Sequence, residues 1–304
     1  MNRNRRPVWA PRKVLGGLLL LFLSGIFALY PEEARGVRDV LGRTLILSAP
    51  PRRIVSLNPA VTEILFAIGA ESQIAGVTEY CDYPPAAALV PKVGGFSGAT
   101  VSVERLAALR PDLVILSGDM HGRIITLLDG LSIRNFAVEP RNFNEVYQTI
   151  ETLGILTGNG EKAREVIAVM KAKISRAQER QRGGERPGVF WELTGEPLMT
   201  AGGNTFISEA ISLGGGRNIF EDLSESWPMV STEEVLLRKP AWIITGDDHG
   251  KMVEPGALAR RPGWQGIPAV REGRIATVDA DTLYRYGPRL ADAVLAIAEI
   301  LRGK

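Results

Sequence analysis

The chain has one cysteine, Cys81, in 304 residues, so neither an intrachain disulfide nor a cysteine-rich zinc site can form. Histidine is almost as scarce, with only His121 and His249. No acidic residue precedes Glu32, whereas Arg3, Arg5, Arg6, Arg12 and Lys13 lead into an apolar run from Val14 to Tyr30. A basic start followed by an apolar core is the pattern of an export segment. The run is long for a signal and no lipid-accepting cysteine follows it. Residues 1–30 therefore read either as a cleaved signal peptide or as a retained inner-membrane anchor. The expected location is periplasmic or otherwise extracytoplasmic, where a chain without disulfides must be held by its core.

Catalytic signatures are also missing. There is no phosphate-cradling glycine loop with a lysine, no G-x-S-x-G elbow and no helix with paired histidines. Gly214-Gly215-Gly216 follows a helical pattern and reads as a terminator rather than a dinucleotide loop. Glu192 and Glu196 are separated by Gly195 and followed by Pro197, a strand edge and turn rather than a catalytic carboxylate pair. No enzyme activity is expected. Five of the 36 lysines and arginines fall in residues 1–30, leaving 31 against 34 acids, a net of −3. The remaining bases form no stripe interleaved with aromatics, so nucleic acid is not an expected partner.

What is present is an alternation of short apolar runs and helical patterns. Arg53 to Leu57 reads as a buried strand, Asn58 as an N-cap, Pro59 as the first helical turn, and Gly69 as the stop. Further strands are expected at Ile74–Val77, Leu113–Leu116 and Asn135–Val138. From Asn159 to Gly183 the spacing of Ala163, Val166, Ile167, Met170 and Ile174 predicts one long amphipathic helix. Strands then recur near Val189–Leu193, Trp242–Thr245 and Ile275–Val278, before a final helix from Pro288 to about Leu301. The fold class is α/β, with two lobes of mostly parallel sheet (37–157 and 185–304) joined by a long helix (158–184).

An internal repeat supports two lobes of one plan. Val101-Ser102-Val103-Glu104 and the following Pro111 to Ile115 reappear 129 residues later as Val230-Ser231-Thr232-Glu233 and Pro240 to Ile244. Gly118-Asp119-Met120-His121-Gly122 is matched by Gly246-Asp247-Asp248-His249-Gly250. In a parallel α/β sheet ligands lie beyond the carboxyl ends of the strands, so these loops should border a cleft between the lobes. Glu104 and Glu233 fall at the second position of helices capped by Ser102 and Ser231, one acidic point per lobe. Each carboxylate also complements its helix N-terminus. Glu234 completes a capping box with Ser231.

The segments Arg53–Leu65, Asp82-Tyr83-Pro84-Pro85, Glu104-Arg105-Leu106 through Arg110–Ile115, and Gly215–Phe220 together resemble the cobalamin and ferric-siderophore periplasmic binding proteins of ABC importers. The likeness runs from about Val37 to the C-terminus. Tyr80-Cys81-Asp82 and Trp227-Pro228 look most like the cobalamin branch. The resemblance implies the helical-backbone metal-chelate receptor architecture and modest closure on the ligand. It also implies capture of a corrinoid, cobalamin, between the lobes by a monomer without a cofactor of its own. Delivery would be to a permease dimer in the inner membrane, with Glu104 and Glu233 meeting arginines on its two subunits.

A corrinoid needs aromatic faces and a few polar groups. Tyr80, Tyr83, Phe96, Trp227 and Tyr284 are the candidates, and the resemblance selects Phe96 and Trp227 most directly. Trp191, Trp242 and Trp264 are expected in the core or at the lobe surface. His121 and His249 are either candidate ligands to a metal or ligand contacts, or remnants of a duplicated turn in which Asp119 and Asp247 shape the loop. The rival cargoes on this scaffold are haem or a ferric siderophore, for which Arg141, Arg285 and Arg289 are available, and, further off, a bare metal ion. A membrane-tethered sensor is the remaining alternative, resting on the apolar N-terminus alone.

Overall fold

The computed structural model describes residues 36–181, 183–247 and 255–303. The export segment expected over residues 1–30, and His249, lie outside the described residues. Two short antiparallel strands, β1 (Val37–Arg38) and β2 (Thr44–Leu45), come first. The chain then alternates β3 (Ile54–Ser56), α1 (Pro59–Ala67), β4 (Ile74–Val77), α2 (Val103–Ala108), β5 (Leu113–Ser117), α3 (Gly122–Gly130), β6 (Asn135–Val138) and α4 (Phe143–Thr157). The long helix α5 spans Gly160–Arg180. After it come β7 (Gly188–Glu192), the antiparallel pair β8 (Thr194–Gly195) and β9 (Leu198–Met199), α6 (Phe206–Leu213), β10 (Arg217–Asn218), α7 (Thr232–Arg238) and β11 (Trp242–Asp247). The series closes with α8 (Pro255–Ala259), α9 (Pro268–Arg271), β12 (Ile275–Asp279), α10 (Ala280–Tyr284) and α11 (Leu290–Leu301).

The larger sheets are both parallel, ordered β4-β3-β5-β6 and β10-β7-β11-β12. Numbered within its own half, each has strand order 2-1-3-4, so the repeat seen in the sequence is realised as α2–β5 and α7–β11 at equivalent places. Local chemistry explains the element ends. Asn58 accepts from the Ala60 amide at 2.8 Å to start α1, and Ser102 and Ser231 cap α2 and α7. The Ser231–Glu234 capping box is complete. The helix α4 ends at Gly158, whose φ of 77° places it in the left-handed region that glycine adopts without penalty.

The strands β3, β5, β6 and β7 are buried on both faces because both faces are covered. Ile54 on β3 and Leu113 and Ile115 on β5 pack toward α1, α4 and α5, while Val55 and Val114 pack toward α2 and α3. One continuous core runs from the first sheet through Met170 and Ile174 of α5 and Val294 and Ile297 of α11 to Val189 and Trp191 of the second sheet. The face predicted for the long helix is the face that enters this core, extended by Ala177. Trp191 and Trp264 are fully buried and Trp242 is half-buried. No helix among the described residues is long and apolar enough to cross a membrane.

Candidate functional site

In each sheet the strand order reverses between the first and third strands, and the crevice at such a switch point is where α/β sheets hold ligands. In the first sheet this places the residues after β3 beside those at the end of β5. A cleft of about 520 Å³ lies there, with Asn58, Pro59 and Ala60 from the first, and Ser117, Asp119 and Met120 from the second. Tyr80, Phe96 and Glu139 extend the same wall, and Asp281, Tyr284, Arg285 and Tyr286 supply the opposite one.

Of the aromatic residues singled out in the sequence, Tyr80, Phe96 and Tyr284 are brought together in this cleft. Tyr80 is 55% exposed and meets Phe96 edge-on, with ring centroids 6.3 Å apart. Tyr83 lies elsewhere, in a groove of about 620 Å³ bordered by α1, α5 and the start of α11. There the Arg289 guanidinium sits 4.0 Å above its ring. Trp227 is 37% exposed on the segment after β10, where neighbouring Ser226 and Pro228 accept from the Gly202 and Thr200 amides, and it is not among the residues bordering the cleft.

Asn58, Met120, Glu139, Asp281 and Tyr286 were not singled out as site residues. Asn58, Glu139 and Asp281 stand within two residues of the carboxyl ends of β3, β6 and β12, so the switch-point rule applied strand by strand was the signal that could have found them. Tyr286 is stacked on Phe206 at 4.2 Å and belongs mainly to the core.

Two of the three available arginines, Arg285 and Arg289, are already committed. Arg285 is 9% exposed and pairs with Asp281 at 2.9 Å, with Glu63 at 3.5 Å, and with Asp82. Its hydrogen bond, more than any other influence, holds the Asp82 carboxyl below the usual carboxylate range. Arg289 grips Glu63 with two bonds of 2.7 and 2.9 Å and lies 3.7 Å from Asp279. Burial nevertheless pushes the Glu63 carboxyl up, against the pull of both arginines. Arg141 borders a separate cavity with Asn142, Asn204 and Glu209. Among the described residues the cleft thus carries Asp119, Glu139 and Asp281 against one neutralised base, and burial raises the Glu139 carboxyl as well.

His121 is wholly buried, with Nδ1 3.0 Å from the Ser117 amide and Nε2 2.8 Å from the Phe96 carbonyl oxygen. Both ring nitrogens are occupied, and His121 is not positioned as a free metal ligand. Among the described residues no group of three or more His, Cys, Asp or Glu is placed to hold a metal ion. Glu192 is buried in a two-point pair with Arg261, at 2.7 and 2.8 Å, and stands outside the cleft. Glu104 and Glu233 are exposed at the second positions of α2 and α7. The backbone amide at the helix start, and then the Ser102 hydroxyl, hold Glu104 below the ordinary range.

Two parallel sheets of one strand order, sharing a long helix and walling an aromatic cleft, are the architecture of a two-part α/β ligand-binding protein. Residues 54–282 match the periplasmic binding protein family. The uncharacterized ABC transporter substrate-binding lipoprotein YvrC of Bacillus subtilis strain 168 is 32% identical over 271 residues, 86% of this chain and 84% of that protein. The periplasmic vitamin B12 binding protein BtuF of Vibrio cholerae superposes with a TM-score of 0.69 at 29% identity, over 83% of this chain and 97% of that one. The periplasmic heme-binding protein RhuT from Roseiflexus sp. RS-1 gives 0.72 at 26% identity, over 82% and 97%. The chain belongs to the periplasmic binding protein family.

Proposed function

We propose that this protein is the extracytoplasmic substrate-binding component of an ABC importer, and that its cargo is a corrinoid, cobalamin, held in the cleft beyond β3 and β5. The observation that carries the choice is the lining: the rings of Tyr80, Phe96 and Tyr284 stand beside the amide of Asn58 and the hydroxyl of Ser117, with an acidic surplus. A corrinoid is broad, apolar on its faces and fringed by neutral amides, which suits that lining. Haem bears two carboxylates and many ferric siderophores are anionic, so each needs a free cation. Arg285 is spent on Asp82, Asp281 and Glu63. The kinship with a vitamin B12 binding protein supports the same reading.

The halves 37–157 and 185–304 act as the two jaws about the helix at 158–184, and close modestly. Trp227, at the edge of the second half, joins the ligand on closure. Glu104 and Glu233, one exposed on each half, dock on the two permease subunits, where separated charges orient the encounter. Residues 1–30 direct export, and the protein works as a monomer without catalysis.

Titration with cyanocobalamin, haemin and an anionic ferric chelate, followed by calorimetry, tests the cargo. Tight one-to-one binding of cyanocobalamin alone is expected. Binding of haemin or the ferric chelate with no response to the corrinoid overturns the substrate assignment.

A further inference from the structure

His121 is the buried titratable group that the cleft itself does not use. Its neighbours dictate its chemistry. The Ser117 amide can only donate, so Nδ1 accepts from it at 3.0 Å, and the Phe96 carbonyl can only accept, so Nε2 carries the proton and donates at 2.8 Å. Only the neutral Nε2–H form satisfies both, and burial disfavours the charged ring. The imidazole also meets the Phe96 ring at 85°, with centroids 6.0 Å apart.

The loop it reaches is closed at its base and pinned near its tip. Gly94 and Val101 form an antiparallel bridge, and the Gly95 amide donates to the Thr100 carbonyl at 3.1 Å. Gly98 passes so near the turn before α3 that a Cβ there would lie 3.2 Å from the Met120 carbonyl oxygen. On the other side of the ring, Ser117 continues the chain of bonds: its hydroxyl oxygen accepts from the Asn58 side-chain Nδ2 at 2.9 Å. Asn58, Ser117 and Phe96 all border the cleft, and His121 is the buried link among them.

We infer that His121 is a positioning residue of the ligand site, a neutral two-point staple that holds Phe96 at the angle from which it packs on the ligand. The inference rests on the cleft being the ligand site, as proposed above. It assigns the histidine of the Gly-Asp-x-His-Gly loop to orienting an aromatic contact rather than to metal or cargo ligation.

Two variants separate this role from simple packing. His121→Phe keeps a ring and removes both bonds, whereas His121→Gln restores one acceptor and one donor at about the spacing of the imidazole nitrogens. Cyanocobalamin affinity is expected to fall about tenfold in His121→Phe and to stay within about threefold of wild type in His121→Gln. In a Phe96→Ala background, His121→Phe should then change affinity by less than about twofold, because the ring that His121 positions is gone while the bond from Asn58 to Ser117 remains. Additive losses, or equal losses in the Phe and Gln variants, overturn the inference.

A ligand-free arm keeps it testable if cyanocobalamin does not bind. The chain has only two histidines, so nitrogen NMR of the labelled protein resolves His121, assigned through His121→Gln. The Nε2–H tautomer is expected, together with faster motion of the labelled Phe96 ring in His121→Phe. A different tautomer, or an unchanged Phe96 ring, defeats the staple whatever the cargo.

Discussion

Arg289 holds Glu63 by both carboxylate oxygens, joining helix α1 to the residue before α11 across 226 positions of sequence. The carboxylate is almost fully buried and the guanidinium is largely so. Removing the arginine leaves a buried acid served only by Arg285 at 3.5 Å. Arg289→Ala should cost about 3 kcal/mol of stability, the lower end for breaking a buried pair. In a chain of this size that is a fall in Tm of about 5 °C by calorimetry. A loss below about 1 kcal/mol would place the pair in the class of surface ion pairs.

The pH dependence of stability contains a histidine component of definite sign. Burial lowers the His121 pKa from its ordinary 6.5. As pH falls, the unfolded chain takes up the proton first, so the component is fully present above 6.5 and is lost as pH drops through the folded value. Urea midpoints measured from about pH 7.5 down to about pH 5 should decline more in wild type than in His121→Gln. Parallel declines would show that the ring titrates alike in both states.

The two exposed acids should act on encounter and not on capture. Glu104→Ala and Glu233→Ala are each expected to leave cyanocobalamin affinity within about twofold. Each should slow association with the permease a few-fold, and the double variant about tenfold or more, with the effect shrinking as salt is raised. Stopped-flow association with the reconstituted importer checks this. Wild-type rates in the double variant would leave the acids as helix-start complements only.

Tyr83 and Phe96 offer a paired comparison, because they line different cavities. Phe96→Ala should weaken corrinoid binding about tenfold, close to 1.4 kcal/mol, while Tyr83→Ala changes it by less than about twofold. Tyr83→Ala is expected instead to lower Tm slightly through its lost contact with Arg289. The reverse ranking would move the binding site to the groove beside α5.

Much of this architecture was legible because local and global signals agree. Asn58 with Pro59, the apolar spacing of α5 and the run at Ile74–Val77 each specify an element without help from elsewhere, and each is found where expected. The edge strand at Arg217–Asn218 was not legible: two polar residues after three glycines carry no strand pattern, and pairing with Gly188 and Val189 alone defines them. The site was legible only in part. Aromatic residues announce themselves by type, but nothing local distinguishes Tyr83 from Tyr80. Arg285 and Arg289 looked available for an anionic cargo because their partners Glu63 and Asp82 are more than 200 residues away. The two bonds of His121 are equally invisible, since one runs to a backbone carbonyl 25 residues earlier.

The single core threading both sheets bears on how the chain is made. Helix α5 lies against α4 and α11, and Leu290, Val294 and Ile297 of α11 are buried in the core these helices share. A nascent chain that has emerged as far as α5 has both strands and helices of the first half, yet its broad apolar face still waits for a helix more than 100 residues away. The first half is thus exposed to aggregation throughout synthesis of the second, and a product that ends before Leu290 should be cleared by quality-control proteases rather than persist as a folded protein.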